Sequence, residues 1–429
     1  MSFPLIISIL TPNFTHGFTA LFRLIVLTIS ALFSTGLLTF HEAFAEDTSY
    51  TDNKSLTHQN LPKLSQAETL PIEQANYFYF GQQYGSEAQF GFWNVMVNVG
   101  LVVPGRLGTQ PQLRYIHWQE GWKHVESSLT SQTDVFKESG GTQESLDKEF
   151  IPFAHPSGAW LPNYFLHFLG EGMLSRKLEE YYLYENPDSP MQAKIKAIAT
   201  TLAAQFTNEV VEHELPWEQR LDPLADFYFN MAGIIAFSFD GFAKLFNNDY
   251  LNYYYWPGQA IIDPQDGAIF NQGEQYYFRS HLGFFSDTQL AIITGMPASG
   301  LGLAYPLNAD DTISVLWGTD VGVTKPHKKV EKLERKTNFT ASEIADLYNR
   351  SVNIYWDRKG SLMGSVTLSY EPFAQLSLNL YPQTYTGASL FGLPLGEVGI
   401  GGYFLTSEEG ASSLGITFSF TPIMLGYRW

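Results

Sequence analysis

The 429-residue chain has no cysteine, which excludes disulfides, thiolate metal centres and a lipidated cysteine anchor. A thiol-free chain suits passage through an oxidising compartment, where stray thiols are a liability. Charge is scarce as well: charged residues make up 16% of the chain, against roughly 25% in soluble domains, which leaves little to cover a water-facing surface. Basic residues are the scarcer sign. The net charge of −18 excludes nucleic acid as a partner, since phosphate binding needs clustered Lys and Arg. Long apolar runs are missing except near the start, so no internal helix is expected to cross a membrane.

That one run, Leu24 to Phe40, follows Arg23 and ends in His41-Glu42-Ala43-Phe44-Ala45. Ala43-x-Ala45 fits the small-residue cleavage rule, so residues 1–45 are expected to be a secretory signal peptide. Residues 46–75 are polar and read as a flexible lead-in.

Aromatics are abundant at 15%, and the second half of the chain alternates with period 2. In Phe373 to Tyr381, Leu376, Leu378 and Leu380 oppose Gln375, Ser377 and Asn379; in Ser412 to Phe420, Leu414, Ile416 and Phe418 oppose Ser413, Gly415 and Thr417. Ser361 to Tyr370 sets Leu362, Gly364, Val366, Leu368 and Tyr370 against Ser361, Met363, Ser365, Thr367 and Ser369. Alternation alone fits a soluble sandwich equally well. Charge separates the two. Residues 360–429 contain Glu371, Glu397, Glu408, Glu409 and Arg428, and no lysine. Polar faces of Ser, Thr, Asn and Gly suit an enclosed space, which leaves the Leu/Val/Phe faces to lipid.

The expected fold is therefore α+β: a transmembrane antiparallel β-barrel of about 10–14 strands, an even number, with a three-helix insert. Tyr77 to Phe80 and Phe90 to Val103 read as first strands and Pro104 to Glu149 as loop, so residues 76–152 are assigned to first barrel strands and a loop, 153–248 to the insert and 249–429 to the main barrel strands. The three helices are Leu161 to Tyr184, Met191 to Glu214 and Pro223 to Phe239, with Asp222 as N-cap of the third. Ile423, Leu425, Tyr427 and Trp429 share a face of the last strand. This resembles the terminal signal read by the barrel-assembly machinery, which is thus an expected partner through Trp429, beside outer-membrane lipid and lipopolysaccharide. The basic stretch Lys325 to Lys336 reads as a rim loop or a lipopolysaccharide contact. Tyr253 to Trp256 read as an interfacial aromatic girdle, with a sugar-stacking platform as the other option.

The candidate site lies on the third helix. Asp226, Asn230 and Gly233 fall at i, i+4 and i+7 and share a face of a helix that is otherwise apolar nearly all round. A carboxylate and an amide there must find partners, because burying them alone costs roughly 1–3 kcal/mol or more. Arg-x5-Asp-x3-Asn-x2-Gly, met by Arg220, Asp226, Asn230 and Gly233, resembles the signature of VanZ-like membrane proteins. With His155-Pro156-Ser157-Gly158 it is also similar to a family of uncharacterised Gram-negative outer-membrane proteins that join such a helical block to a β-rich half. The resemblance spans about Phe153 to Phe239 and implies a fold element and an envelope location, with no established reaction.

His155, Glu209, Arg220, Asp222, Asp226, Asn230 and Gly233 are expected to form a structural polar network, with Arg220 paired to Glu209 or Asp226 and Asn230 capping a backbone group. No cofactor is expected. Were there a metal, His167, Glu171, Glu209 and His213 would be its ligands, although there is no HExxH pair. The function expected is a structural or transport-related envelope role, with the insert as a plug or a periplasmic appendage. The alternative is a membrane-embedded, metal-dependent hydrolase acting on lipid or lipopolysaccharide. No G-x-S-x-G elbow supports it, and Ser280-His281 is its only Ser/His pair in a strand pattern.

Overall fold

The computed structural model describes residues 76–102, 116–155, 159–213, 220–265, 267–281, 288–320, 349–371, 374–384, 389–390, 393–394, 399–408, 412–419 and 424–428. The signal-peptide and lead-in assignments, the basic stretch 325–336 and Trp429 lie outside the described residues.

The chain is α+β. Its helices are α1 (Phe92–Asn98), α2 (Trp118–Thr130), α3 (Gln132–Glu138), α4 (Thr142–Glu149), a short turn Trp160–Pro162 running into a π-helical segment Asn163–Glu171, then α5 (Gly172–Glu185), α6 (Pro190–Glu212), α7 (Leu221–Phe237) and α8 (Asp240–Leu245). The three long helices were expected. Ser189 closes a capping box with Gln192 at the start of α6, and Pro190 occupies its first turn, which is why that boundary is sharp. Helix α7 begins at Leu221 with Arg220 at its N-cap, two residues before the expected cap; Asp222 lies instead in the first turn, where it complements the helix dipole.

Among the described residues of 76–152, helices stand where strand was expected after Phe90 and where loop was expected from 118 to 149, and Tyr77 to Phe80 is irregular. Tyr77 to Phe80 cannot join a sheet through their N–H groups, because two glutamates take them: Tyr77 N donates to Glu180 Oε1 (3.0 Å), Phe78 N and Tyr79 N to Glu180 Oε2 (2.8 and 2.9 Å), and Phe80 N to Glu87 Oε1 (2.8 Å). The valine-rich stretch after Phe90 is α1, packed on α6 and tied at its end by Asn98 Oδ1, which accepts from Gly273 N. Tertiary contacts thus override its β propensity. Polar helices α2 to α4 bury only Val125, Val135 and a few small or polar groups, too thin a stripe to read from sequence.

Among the described residues the strands are β1 (Leu251–Pro257), β2 (Ile261–Ile262), β3 (Ile269–Phe270), β4 (Glu274–His281), β5 (Gln289–Gly295), β6 (Ala298–Pro306), β7 (Asp311–Asp320), β8 (Asn349–Arg358), β9 (Ser361–Glu371), β10 (Gln375–Thr384), a separate pair β11 (Ser389–Leu390) and β12 (Leu393–Pro394), then β13 (Gly399–Ser407), β14 (Ser412–Phe418) and β15 (Met424–Arg428). Thirteen form one sheet in the order β1-β4-β5-β6-β7-β8-β9-β10-β13-β14-β15-β2-β3, antiparallel throughout except for β15 beside β2. No pairing among the described residues joins β1 to β3, so the ladder order is open.

The sheet is nevertheless strongly curled. β1 and β2 are eleven strand spacings apart in that order, roughly 50 Å in a flat sheet. Only residues 258–260 link them, a reach of at most about 15 Å. Side chains from eight strands also meet in one cluster, including Trp256, Tyr277, Leu316, Tyr355, Leu362 and Tyr381, and Arg279 of β4 salt-bridges Asp357 of β8 across it at 3.0 Å. One face is therefore enclosed.

Which side chains face inward follows from the register. Ser314, Ser351, Asn353, Thr367, Ser369, Gln375, Ser413 and Thr417 are buried, while Leu303, Trp317, Leu368, Leu380, Leu414, Ile416 and Leu425 on the other face are exposed. The hydroxyl-rich side points inward, as the alternation suggested. One correction applies: a register shift opposite Trp356 and Asp357 turns Leu362 into the interior, leaving Gly364, Val366, Leu368 and Tyr370 outward. Tyr253, Tyr255 and Trp256 are buried too, so this run is neither a girdle nor an open stacking platform. The segment after Gly81 crosses one end of the curl: Gly85 N donates to Pro382 O, Ser86 N to Leu362 O and Gln89 Nε2 to Phe418 O.

Candidate functional site

The helices pack on β1 and β4 through Tyr253, Tyr255, Glu274 and Tyr276, which the pairing Tyr255↔Tyr276 and Tyr253↔Phe278 places on one face. Followed through β5, where Tyr276 pairs Thr294, and β6, where Leu290 pairs Leu303, this is the outward face. Gly170 sits so close that an added Cβ would lie 2.7 Å from the Tyr276 ring.

Three helical segments converge there. Gln205, Glu209 and Glu212 line one face of α6 at i, i+4 and i+7 and are all buried. The π segment contributes His167 and Glu171. Its wide turn is rare, and such turns often mark functional sites. Helix α7 contributes Asp226 and Asn230, with Gly233 at the crossing: a Cβ on Gly233 would lie 2.1 Å from Phe168 O, and one on Gly172 would lie 2.7 Å from Gly233 O. Only two glycines let these backbones touch.

His167 Nδ1 is 3.2 Å from Asn230 Oδ1, and its Nε2 is 3.2 Å from Asp226 Oδ2. An amide oxygen only accepts, so Nδ1 carries hydrogen; on a neutral ring Nε2 then accepts, and Asp226 must supply the proton. Burial pushes Asp226 up, with Asp222 adding to the push and a hydrogen bond from Glu209 opposing it. Burial pushes His167 down to about 3. Both shifts favour this uncharged pairing. The two side chains are 13% and 15% exposed, so water reaches the edge of the pair.

Glu212 is pushed up to about 8 by burial, with Asp226 adding to the push. A carboxyl raised above its ordinary value of 4.5 stabilises the fold fully below that value, and the stabilisation is lost as pH rises through about 8. The melting midpoint of the helical circular-dichroism signal should fall between about pH 5 and 8. In Glu212→Gln that fall should be shallower. Asp226→Asn should melt close to wild type, because its amide donates to His167 Nε2 as the acid does; a drop as large as that of Asp226→Ala would show that Asp226 is ionised.

The residues expected to form one network divide. Glu209, Asp226, Asn230 and Gly233 meet as described, but Asn230 binds His167 rather than capping backbone. Arg220 turns the other way, donating from Nη1 to Glu138 (2.9 and 3.1 Å) and from Nη2 to Ser127 O (2.8 Å). Its partner comes from α3, in sequence that reads as loop. Asp222 lies 3.9 Å from Lys148, and His155 lies 3.4 Å from Glu144, both on that same side. The four possible metal ligands do not meet as a set: His167 and Glu209 both reach Asp226 of α7, Glu171 goes to the sheet, and His213 Nδ1 to its own helix at Val210 O (2.6 Å). Among the described residues no group of three or more His, Asp or Glu side chains is placed to hold a metal.

Sequence reasoning missed Glu274 and its surroundings. Tyr276 Oη lies 3.1 Å from Glu171 Oε1 and 2.8 Å from Glu274 Oε2. The spacing Gln205-x3-Glu209-x2-Glu212, which sets three polar residues on one face of α6, was the one legible sign of a polar interface here. No family model, curated protein or solved structure matches the chain.

Proposed function

We propose that this protein is an integral outer-membrane β-barrel of a Gram-negative envelope, with a VanZ-like helical block docked against its wall, serving a structural or transport-related role. The observation that carries this reading is the inverted sheet. Hydroxyls and amides are buried, and Leu303, Trp317, Leu368, Leu380, Leu414, Ile416 and Leu425 are exposed on consecutive stretches of wall. In water such a surface is a large aggregation liability; in lipid it is the expected outer band of a barrel.

The short link from β1 to β2 supports a barrel, because β2 carries the wall on from β1 to β15. The parallel pairing of β2 and β15 is what an odd number of staves requires, where an even number was expected. The helical block covers the outside of β1 and β4, so it is not read as a plug in the lumen. Trp256, Tyr277, Tyr355 and Tyr381 fill the interior, and residues after Gly81 cross one end, which favours a structural role over an open pore. Lipid and lipopolysaccharide are the partners this surface fits.

Membrane extraction tests the reading. The protein should stay in the membrane pellet through carbonate and urea washes and migrate faster on gels when unheated. Leu368→Arg, placing a charge on the outward face, should cost about 2–4 kcal/mol of membrane stability and lower the folded yield. A chain that washes off, or a Leu368→Arg variant that folds better, would overturn it.

A further inference from the structure

We propose that Glu171 and Glu274, where the helical block meets the sheet, form with Tyr253, Tyr255, Tyr276 and Gln205 a binding site for a hard divalent cation of the Ca2+ type.

The starting point is a proton count. Tyr276 Oη is within hydrogen-bonding distance of both carboxyl groups, yet a hydroxyl has one hydrogen to donate. Either one carboxyl is protonated and donates back, or a positive charge sits between two carboxylates. Burial and the neighbouring Glu274 charge hold Glu171 well above the ordinary carboxylate range, so two bare carboxylates cannot share this space.

A proton would settle the charge and little else. Glu171 Oε2, Gln205 Oε1 and the hydroxyls of Tyr253 and Tyr255 are all buried without hydrogen-bond partners; Glu171 is 1%, Gln205 3%, Tyr253 1% and Tyr255 2% exposed. Both phenols are close enough to feel the charges of Glu171 and Glu274. One orphaned carboxyl oxygen and three orphaned amide and phenol oxygens exceed what one proton can serve. A Ca2+ ion takes 6–8 oxygen ligands, carboxylates and neutral oxygens together. The unpartnered atoms here are oxygens, and the nitrogen beside them, that of the Gln205 amide, is a donor turned to Glu171, a set that suits a hard cation better than zinc or copper. Two carboxylates balance the double charge, and the ion would tie the π segment and α6 to β1 and β4.

Terbium, a Ca2+ surrogate, is the probe, because its emission is sensitised by nearby phenols. With the purified full chain in detergent, tyrosine-excited terbium emission should saturate at a single site and be displaced by Ca2+. Glu171→Gln and Glu274→Gln should each weaken binding at least about tenfold. Tyr255→Phe, which leaves both carboxyls in place, should weaken it less while unheated gel migration is unchanged. Glu138→Gln, far from the site, should bind as wild type. No Ca2+-displaceable emission from wild type, or emission that survives both glutamate substitutions, would overturn the proposal and leave the site to a shared proton and water. The gel and extraction behaviour above is independent of this result.

Discussion

Asp357→Ala should cost about 3–5 kcal/mol and prevent most chains from reaching the folded state. Asp357 is fully buried, binds Arg279 at 3.0 and 3.3 Å and accepts from Gly360 N at 3.0 Å. Removing it leaves a guanidinium enclosed with, among the described residues, Tyr254 Oη at 3.0 Å to accept from it. Breaking one side of a buried pair is far worse than replacing both sides. The double change Arg279→Met, Asp357→Leu should therefore recover much of the loss. Folded fraction by unheated gel migration, with the unfolding midpoint in urea, separates the two outcomes. The pair also links β4 to β8, with β5, β6 and β7 between them in the sheet, so it holds the curl as well as the local charge balance.

Gly233→Val should unlock the helical block. An added Cβ at Gly233 meets backbone, Phe168 O, at 2.1 Å, and a backbone oxygen cannot swing aside as a side chain would. The helices must part, and with them the His167 contacts to Asp226 and Asn230. Overpacking of this kind typically costs about 1–3 kcal/mol, and a β-branched side chain against backbone belongs at the upper end. Gly172→Ala should show the same defect more mildly, since Gly233 backbone stands 2.7 Å from the added carbon. Limited proteolysis should nick the helical block in both variants before wild type, while extraction from membranes stays normal. Equal protease resistance would mean that the crossing is loose.

How much of this was readable beforehand depends on where each residue finds its partner. Helices α6 and α7 were legible because local chemistry sets them: a capping box at Ser189, a breaker before it, and polar residues recurring every three or four positions. The strands after Ser361 were legible because period 2 is a local property, although the register shift that turns Leu362 inward depends on β8 and was not. Residues 92–98 and 118–149 were misread because packing against α6 and α7, and not their own composition, makes them helical. Arg220 was given the wrong partner for the same reason, Glu138 being hidden in sequence taken for loop. Glu171 and Glu274 stand about a hundred residues apart, and nothing in either neighbourhood announces the other. The docking of the helices outside the curl likewise depends on which face of β1 they cover.

The join between β15 and β2 rests on two register pairs, Met424↔Ile261 and Leu425↔Ile262, whereas β7 and β8 are matched over ten. Its partners lie more than 160 residues apart in sequence, so loop closure makes it late to form, and its short ladder makes it early to fail. Birth order and breaking order should then be mirror images: under heat or lateral tension the wall unzips first beside Ile261, and a bridge engineered across that gap is where rigidity would be gained most cheaply.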